Sequence, residues 1–97
     1  MIPNGVKYID RVAFNNCPSL STVTFPDGLV RIGDVAFAFC KEVTYYDFTQ
    51  LSSIPTISSD TFFNIPADCE IRVPASLEEQ WKTATNWAKY ADHIVGV

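Results

Sequence analysis

A displacement of 23 residues superimposes this chain on itself, and that internal period restricts the fold more than any other feature. Pro3 falls on Pro26, Gly5 on Gly28, Ile9 on Ile32, Val12 on Val35, Ala13 on Ala36, Phe14 on Phe37 and Cys17 on Cys40. These seven identities exceed the roughly one or two that chance gives when each common residue makes up about 5–8% of a sequence. Leu20 over Val43 and Phe25 over Phe48 extend the match. A unit this short cannot bury its apolar side alone, so successive copies must stack and cover one another.

A third copy follows at a displacement of 25, which brings Ile32 onto Ile57, Phe37 onto Phe62 and Phe48 onto Val73. The two extra residues are expected around Gln50-Leu51-Ser52-Ser53, as a polar loop bulging from the stack. Within one copy, Leu20-Ser21-Thr22-Val23-Thr24-Phe25 alternates as a strand, with Val23 and Phe25 inward and Thr22 and Thr24 outward. Pro26-Asp27-Gly28 turns the chain, because proline fixes φ and glycine permits positive φ. Leu29-Val30-Arg31-Ile32 returns as a second short strand, and Gly33-Asp34 is expected to open a single helical turn over residues 35–40. Cys17 and Cys40 then share one inward place as small buried hydrophobes, with a disulfide between them as the alternative.

The tail departs from the repeat. Val73-Pro74 ends a last strand, and Ser76-Leu77-Glu78-Glu79 reads as a capping box with Ser76 as N-cap. A helix is expected from about Leu77 to Thr83, and a second from Thr85 or Asn86 carrying Trp87, Tyr90 and Ala91, before Ile94-Val95 returns extended. Trp81, Trp87 and Tyr90 are expected to plug the apolar end of the stack; an aromatic sugar-binding platform is the alternative. This divides the chain into repeats over residues 1–74 and a helical cap over 75–97. At the other end, Ile2-Pro3 aligns with Phe25-Pro26, so the chain starts inside a repeat. That register predicts a C-terminal piece of a longer protein, with an open strand edge able to self-associate.

Composition closes several functional classes. A net charge of −4 with scattered charges argues against nucleic-acid binding, which needs a basic stripe. No stretch approaches the roughly 20 apolar residues of a membrane span, and the first residues lack the basic flank and apolar run of a signal peptide. Three cysteines at wide spacing and the single His93 suggest neither a disulfide framework nor a metal site, and no cofactor is expected. His93 would have to be the base of any nucleophilic triad, and none of the three cysteines is placed near it by the pattern. Glu78 and Glu79 are adjacent on a helix rather than facing, and Asp10, Asp34, Asp47 and Asp60 lack calcium-loop spacing, so no catalytic residue is assigned.

The exposed strand face is the remaining candidate. The repeat register builds two outward ladders, Thr22-Tyr45-Glu70 and Thr24-Asp47-Arg72, as a candidate ligand-binding face. Tyr45 and Arg72 are residue types favoured at binding hot spots, and Asp47 is expected to pair with Arg72 across strands.

The run Ile32-Gly33-Asp34-Val35-Ala36-Phe37-Ala38-Phe39-Cys40, after a strand ending in Phe25-Pro26, resembles the I-G-x-x-A-F-x-x-C signature of BspA-type leucine-rich repeats. Residues 9–17 match with Asp10 in place of glycine, and residues 57–65 depart further, with Ser58, Thr61 and Ile65 at the glycine, alanine and cysteine positions. The tail, with Ile71-Arg72-Val73-Pro74, Trp81, Asn86-Trp87 and Ile94-Val95, is similar to the end of many such bacterial proteins. The resemblance implies an α+β solenoid, a right-handed coil of short strands and one-turn helices with a C-terminal helical cap. It also implies a non-catalytic protein–protein interaction or adhesion module of a larger bacterial surface or secreted protein, with a host matrix protein or another bacterial surface protein as ligand and an extracellular or cell-surface location. Two alternatives stand beside it: a purely structural end to a repeat array, and a targeting module attached to a secreted enzyme.

Overall fold

The computed structural model describes residues 2–97. Short strands recur with the period of the sequence: β1 (Tyr8–Ile9), β2 (Thr22–Thr24), β3 (Arg31–Ile32), β4 (Tyr45–Asp47), β5 (Glu70–Val73) and β6 (Ile94–Gly96). They form two parallel sheets, one of order β1-β3 and one of order β2-β4-β5-β6. Parallel pairing follows because each strand is separated from its partner by a whole repeat, which returns the chain to the same side before it pairs.

Strand register reproduces the sequence displacements. Val23 pairs with Tyr46, an offset of 23, and Tyr46 with Ile71, an offset of 25. In the smaller sheet Ile9 pairs with Ile32, and Arg31 bridges to Thr56. The insertion therefore lies between Asp47 and Thr56, where the sequence placed it. It is not a purely polar bulge, however: Leu51 is buried. Asp27 Oδ1 also accepts hydrogen bonds from the Ser52 amide at 3.0 Å and its hydroxyl at 3.1 Å, which fastens the insertion to the turn of the preceding repeat.

Alternation along each strand sends one set of side chains into a single core. Ile9, Ile32 and Ile57 are buried on one side and Val23, Tyr46 and Ile71 on the other. Between them run two columns of aromatic rings. Phe14, Phe37 and Phe62 stack at 5.2 and 5.8 Å, and Phe25 and Phe48 stack at 4.1 Å with planes 3° apart. Parallel strands lie about 4.8 Å apart, so rings at equivalent positions of successive repeats meet face to face without adjustment.

The segment after Gly33 corrects one expectation. Residues 34–39 form consecutive turns rather than a helical turn, with Ala36 N donating to Gly33 O at 3.3 Å and Ala38 N to Val35 O at 3.2 Å. Val35 and Phe39 have φ of +48° and +61°, and their counterparts Val12 and Asn16 have +58° and +55°. Left-handed residues interrupt helical propagation. They also free the remaining amides to bond along the stack: Phe14 N to Ala36 O at 2.8 Å, and Phe37 N to Thr61 O at 3.0 Å. Gly33 is needed here for a different reason. A Cβ on it would lie 2.4 Å from the backbone nitrogen of Arg11. Asp10 holds the equivalent place in the first repeat, where no earlier repeat among the described residues presses on it.

The closing segment is helical but starts differently from the capping-box expectation. Residues Ala75–Leu77 form a 3-10 turn, followed by α1 (Glu78–Thr83). Ser76 makes no cap: Leu77 is the N-cap of α1, and neither helix start has a side-chain cap hydrogen bond. Pro74, at φ −58°, starts the turn two residues before Ser76, and Leu77 N donates to Pro74 O at 2.9 Å, so the serine is enclosed in the turn. Glu78 instead pairs with Lys82 at 3.0 Å. The second helix is a 3-10 helix over Ala88–His93, beginning after Asn86, whose φ of +67° prevents an earlier start. β6 then pairs with β5, Ile71 opposite Ile94, at the same offset of 23.

On the side of the smaller sheet, this segment covers the third repeat with side chains in place of another strand's backbone. Trp87 Nε1 donates to Pro55 O at 2.8 Å and Asn86 Nδ2 to Ile57 O at 2.8 Å. Tyr90 Oη donates to Ser59 O at 2.8 Å and accepts from Phe62 N at 3.3 Å. The rings of Trp81 and Trp87 end the Phe48 column at 5.6 and 5.3 Å, and Tyr90 meets Phe62 edge-on at 5.6 Å. Trp81 Nε1 is buried without a partner.

Two stability predictions follow. Gly33→Ala, measured by urea denaturation, is expected to cost about 1–3 kcal/mol, because backbone rather than a flexible side chain must yield. Trp87→Phe is expected to cost about 1–3 kcal/mol more than Trp81→Phe, since only the former strands a buried carbonyl. Equal losses would contradict the assignment of the Pro55 bond.

Candidate functional site

The outward face of β2, β4 and β5 carries the six residues that the repeat register selects. Thr22, Tyr45 and Glu70 are in register, as are Thr24, Asp47 and Arg72, so the structure brings all six onto one surface. Thr22 is exposed and the other five are partly exposed. Their inward neighbours Val23, Tyr46 and Ile71 are fully packed, which fixes the strands beneath.

The electrostatics differ from expectation. Arg72 does not pair with Asp47. Its Nε donates to Glu70 Oε1 at 2.8 Å, two residues back on the same strand. Its guanidinium carbon sits 3.9 Å from the centroid of the Tyr45 ring. Asp47 is already occupied, because its Oδ1 accepts from the Thr49 amide at 2.8 Å and hydroxyl at 2.6 Å. A local turn bond outcompetes the cross-strand pair because it needs no long side chain to be ordered. Each contact on Arg72 is individually worth at most about 1 kcal/mol at such exposure. Together they hold the planar guanidinium over the ring.

A seventh position belongs to this face and was missed. Val95 pairs with Arg72 and is partly exposed beside it. The signal was available, since Val95 lies 23 residues after Arg72, but the loss of the repeat motif in the tail concealed that the period persists. The face therefore runs from two threonines through a tyrosine–arginine stack to an apolar margin.

Other sites weighed in the sequence take structural roles. Trp81, Trp87 and Tyr90 are buried, so their faces are unavailable as a sugar platform. Cys17 and Cys40 are free thiols, and Cys40 Sγ donates to Phe14 O at 3.1 Å. His93 Nδ1 lies 2.8 Å from Cys69 O, which ties the imidazole to backbone. Burial raises the thiols of Cys40 and Cys69 above the usual range, Cys69 to about 12.

The family model described as BspA type Leucine rich repeat region (6 copies) matches residues 1–85 of the 97-residue chain. The chain belongs to that family. No curated protein matches it. The family is a repeat and interaction module rather than a known family of enzymes, and its repeats commonly mediate protein–protein contacts. No helix among the described residues is long and apolar enough to cross a membrane.

The raised Cys69 thiol gives a pH prediction. The folded chain keeps this proton up to about pH 12, whereas the unfolded chain releases it near the usual value of 9.0. The unfolded state therefore binds fewer protons in this window, and stability falls as pH rises from about 9 towards 12. Cys69→Ala should make that decline shallower in a series of denaturation curves; an unchanged slope would remove Cys69 as its source.

Proposed function

We propose that this chain is a right-handed leucine-rich-repeat solenoid of α+β type acting as a non-catalytic protein-interaction module of a bacterial surface or secreted protein. Residues 1–74 supply the repeats and residues 75–97 the cap. The observation that carries the reading is the Tyr45–Arg72 stack on the strand face. A rigid aromatic and a planar cation, pre-ordered at 3.9 Å on packed strands, lose little conformational freedom on binding. Thr22, Thr24, Asp47 and Glu70 surround the stack with hydrogen-bonding groups and Val95 adds an apolar margin. Such a surface suits a folded protein partner, with host matrix proteins and other bacterial surface proteins as the expected class, and the family's association with bacterial surface proteins supports an extracellular location.

A double substitution on this face distinguishes this reading from a purely structural role. Replacing Tyr45 and Arg72 together with alanine is expected to weaken capture of immobilised matrix proteins or bacterial cells by about 30-fold or more, the usual weight of a two-residue hot spot. Binding that survives this replacement in a folded variant leaves the strand face without a role.

A second association belongs to the same proposal. β2 is an edge of its sheet, and among the described residues a single backbone bond reaches that edge, from Ile2 N to Thr24 O at 3.0 Å. Beside it Ile2, Pro3, Val6, Ala13 and Phe14 line an open apolar hollow. We infer that two copies pair through this end. Sedimentation velocity over a concentration series should show a dimer, and a monomer throughout would exclude it.

A further inference from the structure

The smaller sheet has a second outward ladder that the functional reading above does not use. Tyr8, Arg31 and Thr56 follow one another in register across three repeats, and all three are exposed. Beside them runs a groove of about 380 Å³, lined by Tyr8, Asp10, Arg11, Arg31, Gly33 and Asp34. A second hollow of about 310 Å³ shares Arg31, Gly33 and Asp34 with it and continues past Val30 to Thr56 and Ser58. Gly33 lines both hollows and packs against the Arg11 backbone, where a Cβ would lie 2.4 Å from the Arg11 nitrogen.

Charge in this region departs from the rest of the molecule. Arg72, Lys82 and Lys89 are engaged in ion pairs, while among the described residues Lys7, Arg11, Arg31 and Lys41 are not. Three of those four gather here, two of them lining the groove, in a chain of net charge −4. Of the two carboxylates beside them, Asp34 already accepts the Ser58 hydroxyl at 2.7 Å. Tyr8 and Val30, 63% and 47% exposed, give the walls an apolar component.

We propose that this flank is a second binding site, which takes an extended, carboxylate-bearing segment of a partner protein laid along the stack. Carboxylates of the segment meet the guanidinium forks of Arg11 and Arg31, a planar pairing suited to two parallel hydrogen bonds. The aliphatic parts of the segment rest on Tyr8 and Val30. Asp10 and Asp34 line the same groove and repel a continuous polyanion, so spaced carboxylates fit where a phosphate backbone does not. The site is independent of the Tyr45–Arg72 face.

The test uses a fluorescein-labelled peptide with glutamate at alternate positions, a counterpart with glutamine at those positions, and fluorescence anisotropy at low and high salt. Binding of the glutamate peptide is expected to fall at least tenfold in Arg11→Gln/Arg31→Gln, to weaken with salt, and to exceed that of the glutamine peptide. Arg31→Lys should give an intermediate loss, because it keeps the charge and loses the fork. Lys41→Gln and the Tyr45/Arg72 alanine variant should bind like the unaltered chain, and circular dichroism should show every variant folded. Equal binding of the two peptides, no binding by the unaltered chain, a similar loss in Lys41→Gln, or full binding by Arg11→Gln/Arg31→Gln would overturn the proposal.

Discussion

Ring-on-ring stacking between equivalent phenylalanines is the contact on which the rest of this structure depends. Phe25 on Phe48, and Phe14 on Phe37 on Phe62, recur because the repeat places the same ring at the same height of successive strands. The columns help to fix the register, since a slip of one residue would carry Phe25 from the core to the surface. They also explain where the repeat can stretch. The added residues lie after Phe48 and before Ile57, outside the stacked positions, so Phe62 still reaches Phe37.

A column of identical rings has no natural end, and the closing segment supplies one with different chemistry. Beside the ladder that β6 continues from β5, indole, phenol and amide groups reach the carbonyls of the third repeat, so a few side chains stand in for a further strand of the smaller sheet. The tryptophans cover the terminal rings at the same time. The third repeat is also tied to the repeat before it: Thr61 stands where the second repeat has Ala36, and its buried hydroxyl donates to Gly33 O at 3.1 Å and accepts from the Ser58 amide at 2.9 Å. Departures from the motif near the end of the repeats therefore carry bonds of their own.

Much of the fold was legible because the repeat is arithmetic. The offsets of 23 and 25, the inward residues, the insertion and both outward ladders follow from aligning the sequence with itself. What escaped depended on competition between local groups. Val35 and Phe39 adopt positive φ against their own preference because inter-repeat bonds reward it, and no pattern of side chains announces that exchange. Arg72 selected Glu70 over Asp47 because Thr49 had already claimed the aspartate. Pro74 pre-empted the Ser76 cap by starting its turn early. The flank groove was hidden for a related reason, since its shape depends on how closely neighbouring repeats approach, as Gly33 and the Arg11 backbone do.

Both indoles of the chain, Trp81 and Trp87, sit in the closing segment with rings 5.5 Å apart. Tryptophan emission is thus a spectroscopic report on one end of the molecule, while the backbone dichroism averages over every repeat. In a quasi-linear array, where each unit leans only on its neighbours, the two signals need not coincide on heating or in denaturant. Their separation would measure how far the end can open while the remainder stays folded, and so whether the array melts as one cooperative unit or from its tip.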